Sequence, residues 1–179
     1  MSLQTAARSP TYKVIMMGPG GCGKTSIALR VTQNRFQDDL RMTIGVNFHS
    51  LRVECEGKSV NLVLWDLAGQ PRFKDVVAGY FKGAHAAIAV YDASRPMTLA
   101  DLDGWIETVS LQAPKAKLVV VGNKTDITDG FRVSFDEGSE FALRHNAVFC
   151  EVSAKTGEGV SDLFKTTACG ILTNASGPA

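Results

Sequence analysis

Short apolar runs recur along the chain and alternate with amphipathic segments. Several of these runs are too apolar to leave one face in water, which is typical of strands buried on both faces in a parallel sheet. The runs that we predict to be strands are residues 12–17, 59–64, 86–91, 117–121 and 147–151. Segments with apolar residues at helical spacing lie between these strands and after the last one. The predicted helices are residues 25–31, 99–111, 135–144 and 160–172.

A sixth predicted strand, residues 46–54, differs from the others because only residues 55–58 separate it from the next strand. So short a connection suits a hairpin around Glu56-Gly57 rather than a helical crossover, and a hairpin makes its two strands antiparallel. The order of elements therefore predicts a three-layer α/β fold. We expect a six-stranded, mostly parallel sheet with one antiparallel edge strand and about five helices.

The chain has the length of one ordinary domain. Residues 1–10 and 175–179 are small and polar without periodicity, so we expect disordered tails on either side of a domain spanning residues 11–174. A net charge of +1 gives no basic excess of the kind that accompanies nucleic-acid binding. No apolar run approaches the roughly 18 to 20 residues that span a bilayer, so we expect a soluble chain without a membrane-spanning segment.

The four cysteines are scattered without CxxC spacing, and nothing in the chain resembles a secretory signal. This usage favours a reducing, cytoplasmic compartment over an oxidising one. We therefore expect four free thiols, at Cys22, Cys55, Cys150 and Cys169.

A glycine-rich segment, residues 18–25, lies between the first predicted strand and the first predicted helix. Its letters, GPGGCGKT, match the phosphate-binding pattern GxxxxGK followed by Ser or Thr. Glycines let backbone N–H groups close around phosphate oxygens, and the helix N-terminus adds the positive end of its dipole. We expect Lys24 to reach the β and γ phosphates and the Thr25 hydroxyl to bind Mg²⁺. The alternative, a glycine-rich turn ending in a solvated lysine, fits the flanking strand and helix less well.

Two polar segments follow later strands, at the edge where open parallel sheets bind ligands. They are residues 123–126, with the letters NKTD, and residues 153–155, with the letters SAK. A carboxylate there can accept hydrogen bonds from both N1–H and the exocyclic amino group of guanine, a pairing that adenine cannot offer. Asp126 is therefore the predicted specificity residue, and it argues against a P-loop kinase or ATPase.

The NKTD and SAK segments resemble the guanine-binding motifs of the Ras superfamily of small GTPases. Four further segments extend the resemblance over nearly the whole chain and make it most similar to Rab proteins: TIGVNF (43–48), WDLAGQPRF (65–73), YFKGA (80–84) and AVYD (89–92). The resemblance implies a G domain that binds GTP with Mg²⁺ and hydrolyses it slowly. It also implies a switch that binds effectors in its GTP state, as Rabs do in vesicle trafficking.

The same resemblance assigns roles around the base. It implies that Asn123 steadies the loops and that Lys124 covers the base. It further implies that the Ala154 amide meets guanine O6 and that Phe36 lies against the ring.

At the phosphates, the resemblance implies that Thr43 binds Mg²⁺ and senses the γ-phosphate, while Asp66 holds Mg²⁺ through water. The Gly69 amide would bond the γ-phosphate, and Gln70 would orient the attacking water. The expected catalytic residues are Gln70, Lys24, Gly69 and Thr43, and the expected metal ligands are Thr25, Thr43 and Asp66. The expected nucleotide-binding residues are Gly18, Gly20, Gly21, Cys22, Gly23, Lys24, Thr25, Ser26, Phe36, Thr43, Gly69, Asn123, Lys124, Asp126, Ser153, Ala154 and Lys155.

Four positions depart from the usual family pattern. Asn47, Leu67 and Pro71 stand where Rabs usually have Asp, Thr and Glu, and Leu40 stands where Ras has a tyrosine that covers the phosphates. Leu67 and Pro71 flank the catalytic segment, which leaves open an alternative function, a GTP-binding interaction module with little turnover. Gln70 and Gly20 argue against that alternative, and glycine at position 20 leaves space for a partner's arginine.

The expected partners are a guanine nucleotide and, through the switch regions, effector proteins, an exchange factor and a GTPase-activating protein; we expect a monomer. Phe48, Trp65 and Tyr80 resemble the aromatic effector face of Rabs, although packing explains them equally well. Rabs end in a flexible tail with prenylated cysteines, whereas Cys169 lies inside the predicted last helix. We expect a cytoplasmic protein that reaches the cytosolic face of a membrane only through a tail that these residues do not show.

Overall fold

The computed structural model describes residues 9–70, 77 and 79–175. Six strands form one sheet in the order β2-β3-β1-β4-β5-β6. Their bounds are β1 (Thr11–Met17), β2 (Val46–Cys55), β3 (Lys58–Leu67), β4 (Ala86–Asp92), β5 (Lys117–Asn123) and β6 (Val148–Glu151). The edge pair β2–β3 is antiparallel, and the other neighbours run parallel. The predicted six-stranded sheet with one antiparallel edge strand is confirmed.

The β2–β3 hairpin turns at the predicted dipeptide. Cys55 pairs with Lys58, so Glu56 and Gly57 form a two-residue loop. Both have positive φ, 51° and 75°, as a type I′ turn requires. A glycine at the second position adopts this conformation without strain.

Five helices lie among the described residues, as predicted: α1 (Lys24–Gln33), α2 (Met97–Ala100), α3 (Leu102–Gln112), α4 (Phe135–Arg144) and α5 (Val160–Ala175). The single helix predicted over residues 99–111 is divided into the one-turn α2 and the longer α3. Helix α4 begins at the predicted residue because Ser134 and Glu137 form a capping box that satisfies its first amides.

Alternating side chains of β1 pack into two separate hydrophobic cores, one on each face of the sheet. Val14 and Met16 belong to a cluster with residues of α1 and α5. Ile15 and Met17 belong to a second cluster, with residues of α3 and α4. The sheet is therefore covered by helices on both faces, which confirms the three-layer architecture and explains why the central strand β4 is buried along its whole length.

The expectation of four free thiols is wrong for two cysteines. Cys55, at the end of β2, forms a disulfide with Cys169 in α5, with their Cα atoms 5.7 Å apart. Their separation of 114 residues gives no local signal, and only the packing of α5 against β2 brings them together. Cys22 and Cys150 are free.

Of the helices that the structure describes, none combines the length and apolar character needed to cross a bilayer.

Candidate active site

A cavity of about 360 Å³ opens at the carboxyl edge of the sheet. Its walls are drawn from residues 20–26, 36–43, 67–70, 123–127 and 154–155, so loops far apart in the chain meet around one space. The predicted site residues that line it are Gly20, Gly21, Gly23, Lys24, Thr25, Ser26, Phe36, Thr43, Gly69, Gln70, Asn123, Lys124, Asp126, Ala154 and Lys155. The other predicted residues, Gly18, Cys22, Asp66 and Ser153, are not part of this lining.

The P-loop lysine is buried beneath the cavity. Lys24 is 5% exposed, and its Nζ donates to the carbonyls of Gly18 and Pro19, each at 2.8 Å. Burial lowers the pKa of Lys24 from its ordinary value. A Cβ at Gly69 would collide with Lys24 Nζ and with the Gly18 carbonyl, so only glycine fits at this position.

Two hydroxyls and a carboxylate converge beside the lysine. Thr25 Oγ1 donates to Asp66 Oδ2 at 2.6 Å and lies 2.9 Å from Thr43 Oγ1. Asp66 is fully buried, and its Oδ1 has no hydrogen-bond partner among the residues that the structure describes. Burial raises the pKa of Asp66, although the Thr25 hydrogen bond and Lys24 oppose this. An orphaned carboxylate oxygen beside two hydroxyls is an oxygen-rich set that fits a hard cation such as Mg²⁺.

The base side of the cavity is held by one amide side chain. Asn123 Nδ2 donates to the Cys22 carbonyl at 2.9 Å, and its Oδ1 accepts from the Ala154 amide at 3.1 Å. It thus connects the P-loop, the end of β5 and the SAK loop. Because the Ala154 amide already has an acceptor, a guanine O6 would have to share it.

Asp126 lines the same side of the cavity and is held there by a hydrogen bond. Ser153 Oγ donates to Asp126 Oδ1 at 2.6 Å and accepts from the Thr156 amide at 3.1 Å. One carboxylate oxygen is therefore anchored from below. This anchoring limits rotation of the side chain that we predict to read the base.

Three positioning residues were missed by the sequence analysis. Asp92, at the end of β4, accepts from Lys124 Nζ at 2.7 Å and from Arg95 Nε at 2.9 Å. Arg30 of α1 donates to the carbonyls of Ala154 at 2.8 Å and Lys155 at 2.6 Å. The rule that ligands bind at carboxyl ends of strands could have found Asp92 and Arg95. No pattern in the sequence points to Arg30.

On the phosphate side, Gln70 contacts a residue that the sequence analysis did not consider. Gln70 Nε2 lies 3.0 Å from Met42 Sδ. A Cβ at Gly20 would lie 3.5 Å from Met42 Cε and 3.7 Å from Gln70 Cγ. The three residues therefore lie against one another at the wall of the cavity. Leu67 is fully buried at the cavity wall, whereas Pro71 lies outside the described residues.

The predicted aromatic face is a contiguous set of rings. Phe48 packs edge-on against Trp65 with ring centroids 4.7 Å apart, and Trp65 lies 5.8 Å from Tyr80. Phe48 is 57% exposed, so the ring cluster reaches the surface, and Ile44, which is 76% exposed, follows the cavity residue Thr43 in the chain.

A model of the Ras family matches residues 13–173. The Ras-related protein RabC of Dictyostelium discoideum is 37% identical over 156 residues, which cover 86% of this chain and 80% of the relative. The Ras-related protein Rab-4 of the same organism is 38% identical over 92% of this chain and 82% of its own length. The Ras-related protein Rab-18 of Lymnaea stagnalis is 38% identical over 87% of this chain and 77% of its own length. The chain belongs to the Ras family and is a Rab-like small GTPase, a switch that binds GTP and GDP and hydrolyses GTP.

Proposed function

We propose that the chain is a trafficking switch whose guanine selectivity rests on Asp126. The observation that carries this proposal is the Ser153 hydrogen bond of 2.6 Å, which holds the Asp126 carboxylate at the cavity mouth. A held carboxylate pairs with N1–H and the exocyclic amino group of guanine, and a base lacking those donors leaves it unpaired. Unpaired buried polar groups are costly, so the arrangement discriminates strongly.

The residues beneath the phosphates fit Mg²⁺ and a triphosphate. Thr25 and Thr43 would contribute hydroxyl oxygens, and Asp66 would act through water. When bound, Mg²⁺ supplies positive charge that neutralises the phosphate oxygens as the γ-phosphoryl group leaves. Lys24 adds a second positive charge from below, and the glycine at position 69 leaves its backbone free to approach the γ-phosphate.

Gln70 is the residue that we propose to orient the attacking water. Little covalent chemistry falls to the protein in phosphoryl transfer, so placing one water is a large part of its work. Gln70 lines the cavity beside Gly20, and its amide Nε2 lies 3.0 Å from Met42 Sδ.

The contact of Gln70 with Met42 favours a second function, a GTP-binding module with little turnover. In that case the thioether of Met42 would hold the amide of Gln70 away from water. The exposed ring of Phe48, with the half-buried rings of Trp65 and Tyr80, would then recruit a partner without a rapid return to the GDP state.

We further propose that the GTP state is read by effector proteins at the face formed by Ile44, Phe48, Trp65 and Tyr80. An exchange factor and a GTPase-activating protein would act on the neighbouring segments. This face adjoins Thr43, whose hydroxyl oxygen lies 2.9 Å from Thr25 Oγ1. Loss of the γ-phosphate and Mg²⁺ would therefore change the conformation of this face directly. The resemblance to Rabs supports an activity of this kind at the cytosolic face of a membrane compartment.

Two measurements on the purified chain test these proposals. In a competition experiment, GTP should displace a bound fluorescent guanine nucleotide while ATP should not; equal displacement would refute the guanine assignment. In a single-turnover assay, bound GTP should convert slowly to GDP. GTP that persists unhydrolysed would favour the low-turnover module.

The Mg²⁺ assignment has its own variant. Thr25→Asn should weaken GTP binding more than GDP binding, because Thr25 meets the metal beside the γ-phosphate. Thr32→Asn is the matched control, since Thr32 lies on the same helix and its hydroxyl donates to the Ala28 carbonyl at 2.7 Å. GTP affinity that is unchanged by excess EDTA would show that the metal site is misassigned.

A further inference from the structure

The turn after β4 holds an arginine in a fixed position beside the P-loop. The Arg95 amide donates to the Asp92 carbonyl at 2.9 Å. The Arg95 carbonyl accepts from the Thr98 amide at 2.9 Å and from the Thr98 hydroxyl at 2.7 Å. Thr98 is itself buried, at 6% exposure. The backbone from which the guanidinium extends is therefore held by three hydrogen bonds.

One carboxylate oxygen of Asp92, at the end of β4, accepts hydrogen bonds from two positively charged side chains. Asp92 Oδ2 accepts from Arg95 Nε at 2.9 Å and from Lys124 Nζ at 2.7 Å. Its Oδ1 accepts from the Ser94 amide at 3.0 Å and from the Ser94 hydroxyl at 2.6 Å. Burial acts to raise the pKa of Asp92, but the hydrogen bonds from Lys124, Ser94 and Arg95 together hold it below its ordinary value. The carboxylate is thus kept charged between the two cations.

The other end of the guanidinium lies over the P-loop backbone. Arg95 Nη2 is 3.4 Å from the Gly20 carbonyl and 3.9 Å from Cys22 Sγ. A Cβ at Gly21 would lie 3.3 Å from the same nitrogen. A planar guanidinium can therefore reach Asp92 and the P-loop at once, which the ammonium of a lysine cannot do with comparable geometry.

We propose that Arg95 is a positioning residue that ties the P-loop, through Asp92, to the base-covering Lys124, and so slows release of the guanine nucleotide. This inference rests on the nucleotide site proposed above. Release of the nucleotide requires the P-loop to lose its contacts with the phosphates and Lys124 to lose its contact with the base. Because both groups are joined through one carboxylate, movement at either end disturbs the other.

The variants Arg95→Ala and Arg95→Lys test whether nucleotide release depends on the simultaneous contact of the guanidinium with Asp92 and the P-loop. The rate of dissociation of a fluorescent GDP is measured by stopped flow in excess unlabelled GDP. Loss of one such set of hydrogen bonds should speed dissociation about 3- to 10-fold in Arg95→Ala. Arg95→Lys should release GDP nearly as fast, since lysine keeps the ion pair with Asp92 but loses the simultaneous reach to Gly20.

A merely structural role predicts a different pattern. If Arg95 served only to neutralise Asp92, Arg95→Lys would release GDP at the parent rate, and the proposal would be overturned. Arg144→Ala is the matched control. Arg144 is an exposed arginine of α4 whose guanidinium lies 5.5 Å from the centroid of the Phe141 ring, and its loss should leave the rate unchanged.

A double-mutant cycle tests the coupling. Arg95→Ala and Lys124→Ala should each speed GDP release, and the double variant should show less than the product of the two accelerations, because both act through Asp92. Strictly multiplicative effects would overturn the link. If the parent chain bound no GDP at all, the nucleotide site itself would be wrong. If the parent bound GDP and the Arg95 variants released it at the parent rate, only the Arg95 inference would fail.

Discussion

The two sides of the nucleotide cavity are built differently. On the base side, Asn123, Lys124 and Asp126 each hold a hydrogen bond or ion pair to another loop, at 2.6 to 3.1 Å. On the phosphate side, residues 35–44 form neither helix nor strand. Among the described residues, the side-chain hydrogen bonds of that segment come from Thr43 and Met42.

This difference suits the two tasks. Reading a base requires a geometry that is the same in the GTP and GDP states, so a network of fixed partners helps. Sensing the γ-phosphate requires a segment whose order depends on the ligand, and few internal bonds allow that. Substitutions of the base-side residue Asp126 should therefore change nucleotide affinity, and substitutions of Gln70 and Met42 should change the rate of hydrolysis.

The largest effect is expected on the base side. Asp126→Asn should lower affinity for GTP by at least about 100-fold and shift preference toward xanthine nucleotides, because the amide presents a donor to N1–H of guanine. Competition binding with GTP and XTP measures this. Asp129→Asn, at an exposed position three residues later, is the control and should bind GTP like the parent.

The disulfide offers a test of the framework beneath both sides. Cys55→Ser should lower the free energy of unfolding by about 2 to 4 kcal/mol, because the bond closes a long loop. The melting temperature should fall by roughly 4 to 16 °C. GDP release should stay at the parent rate, since neither cysteine lines the cavity.

Thermal melts with and without a reductant check this prediction. The reductant should lower the melting temperature of the parent and leave that of Cys55→Ser unchanged. Cys150→Ser removes a partly buried free thiol and serves as the control. A parent that melts identically in both buffers would contradict the pairing.

On the phosphate side, Gln70→Leu should slow single-turnover hydrolysis about 10- to 100-fold, because the water loses its orienting partner. Affinity for GTP and GDP should stay within about twofold of the parent, because Gln70 orients the attacking water and the substitution should change only the hydrolysis rate. Gln112→Leu changes an exposed glutamine at the end of α3 and should hydrolyse GTP normally. Equal rates for Gln70→Leu and the parent would favour the low-turnover module.

The smallest effect is expected at Met42. A thioether is a weak acceptor, so Met42→Leu should change the hydrolysis rate by only about two- to threefold, upward if the contact restrains Gln70. The change should vanish in the Gln70→Leu background, because Met42 acts through that amide. A persistent change there would mean that Met42 affects the phosphate side independently of Gln70.

The parts of the site that sequence reasoning found are those encoded in short segments. The P-loop and the NKTD and SAK loops each carry their chemistry in a few consecutive residues, and the strands before them place all three at one edge of the sheet. The hairpin was predictable for the same reason, since Glu56 and Gly57 alone decide the turn. Asp92 and Arg95 also follow a strand, but no local pattern marks them as partners of Lys124 and the P-loop.

The sequence by itself determined the layered α/β fold, the nucleotide loops and the hairpin, because hydrophobic periodicity and turn chemistry act between near neighbours in the chain. Only the tertiary structure decided the contacts between distant segments. Arg30 contacts Ala154, 124 residues away in the chain, and Cys55 contacts Cys169, 114 residues away. The residues near each partner in the sequence give no sign of these contacts. Such contacts depend on how α1 and α5 pack onto the sheet, which is set by the summed burial of many side chains rather than by any short motif.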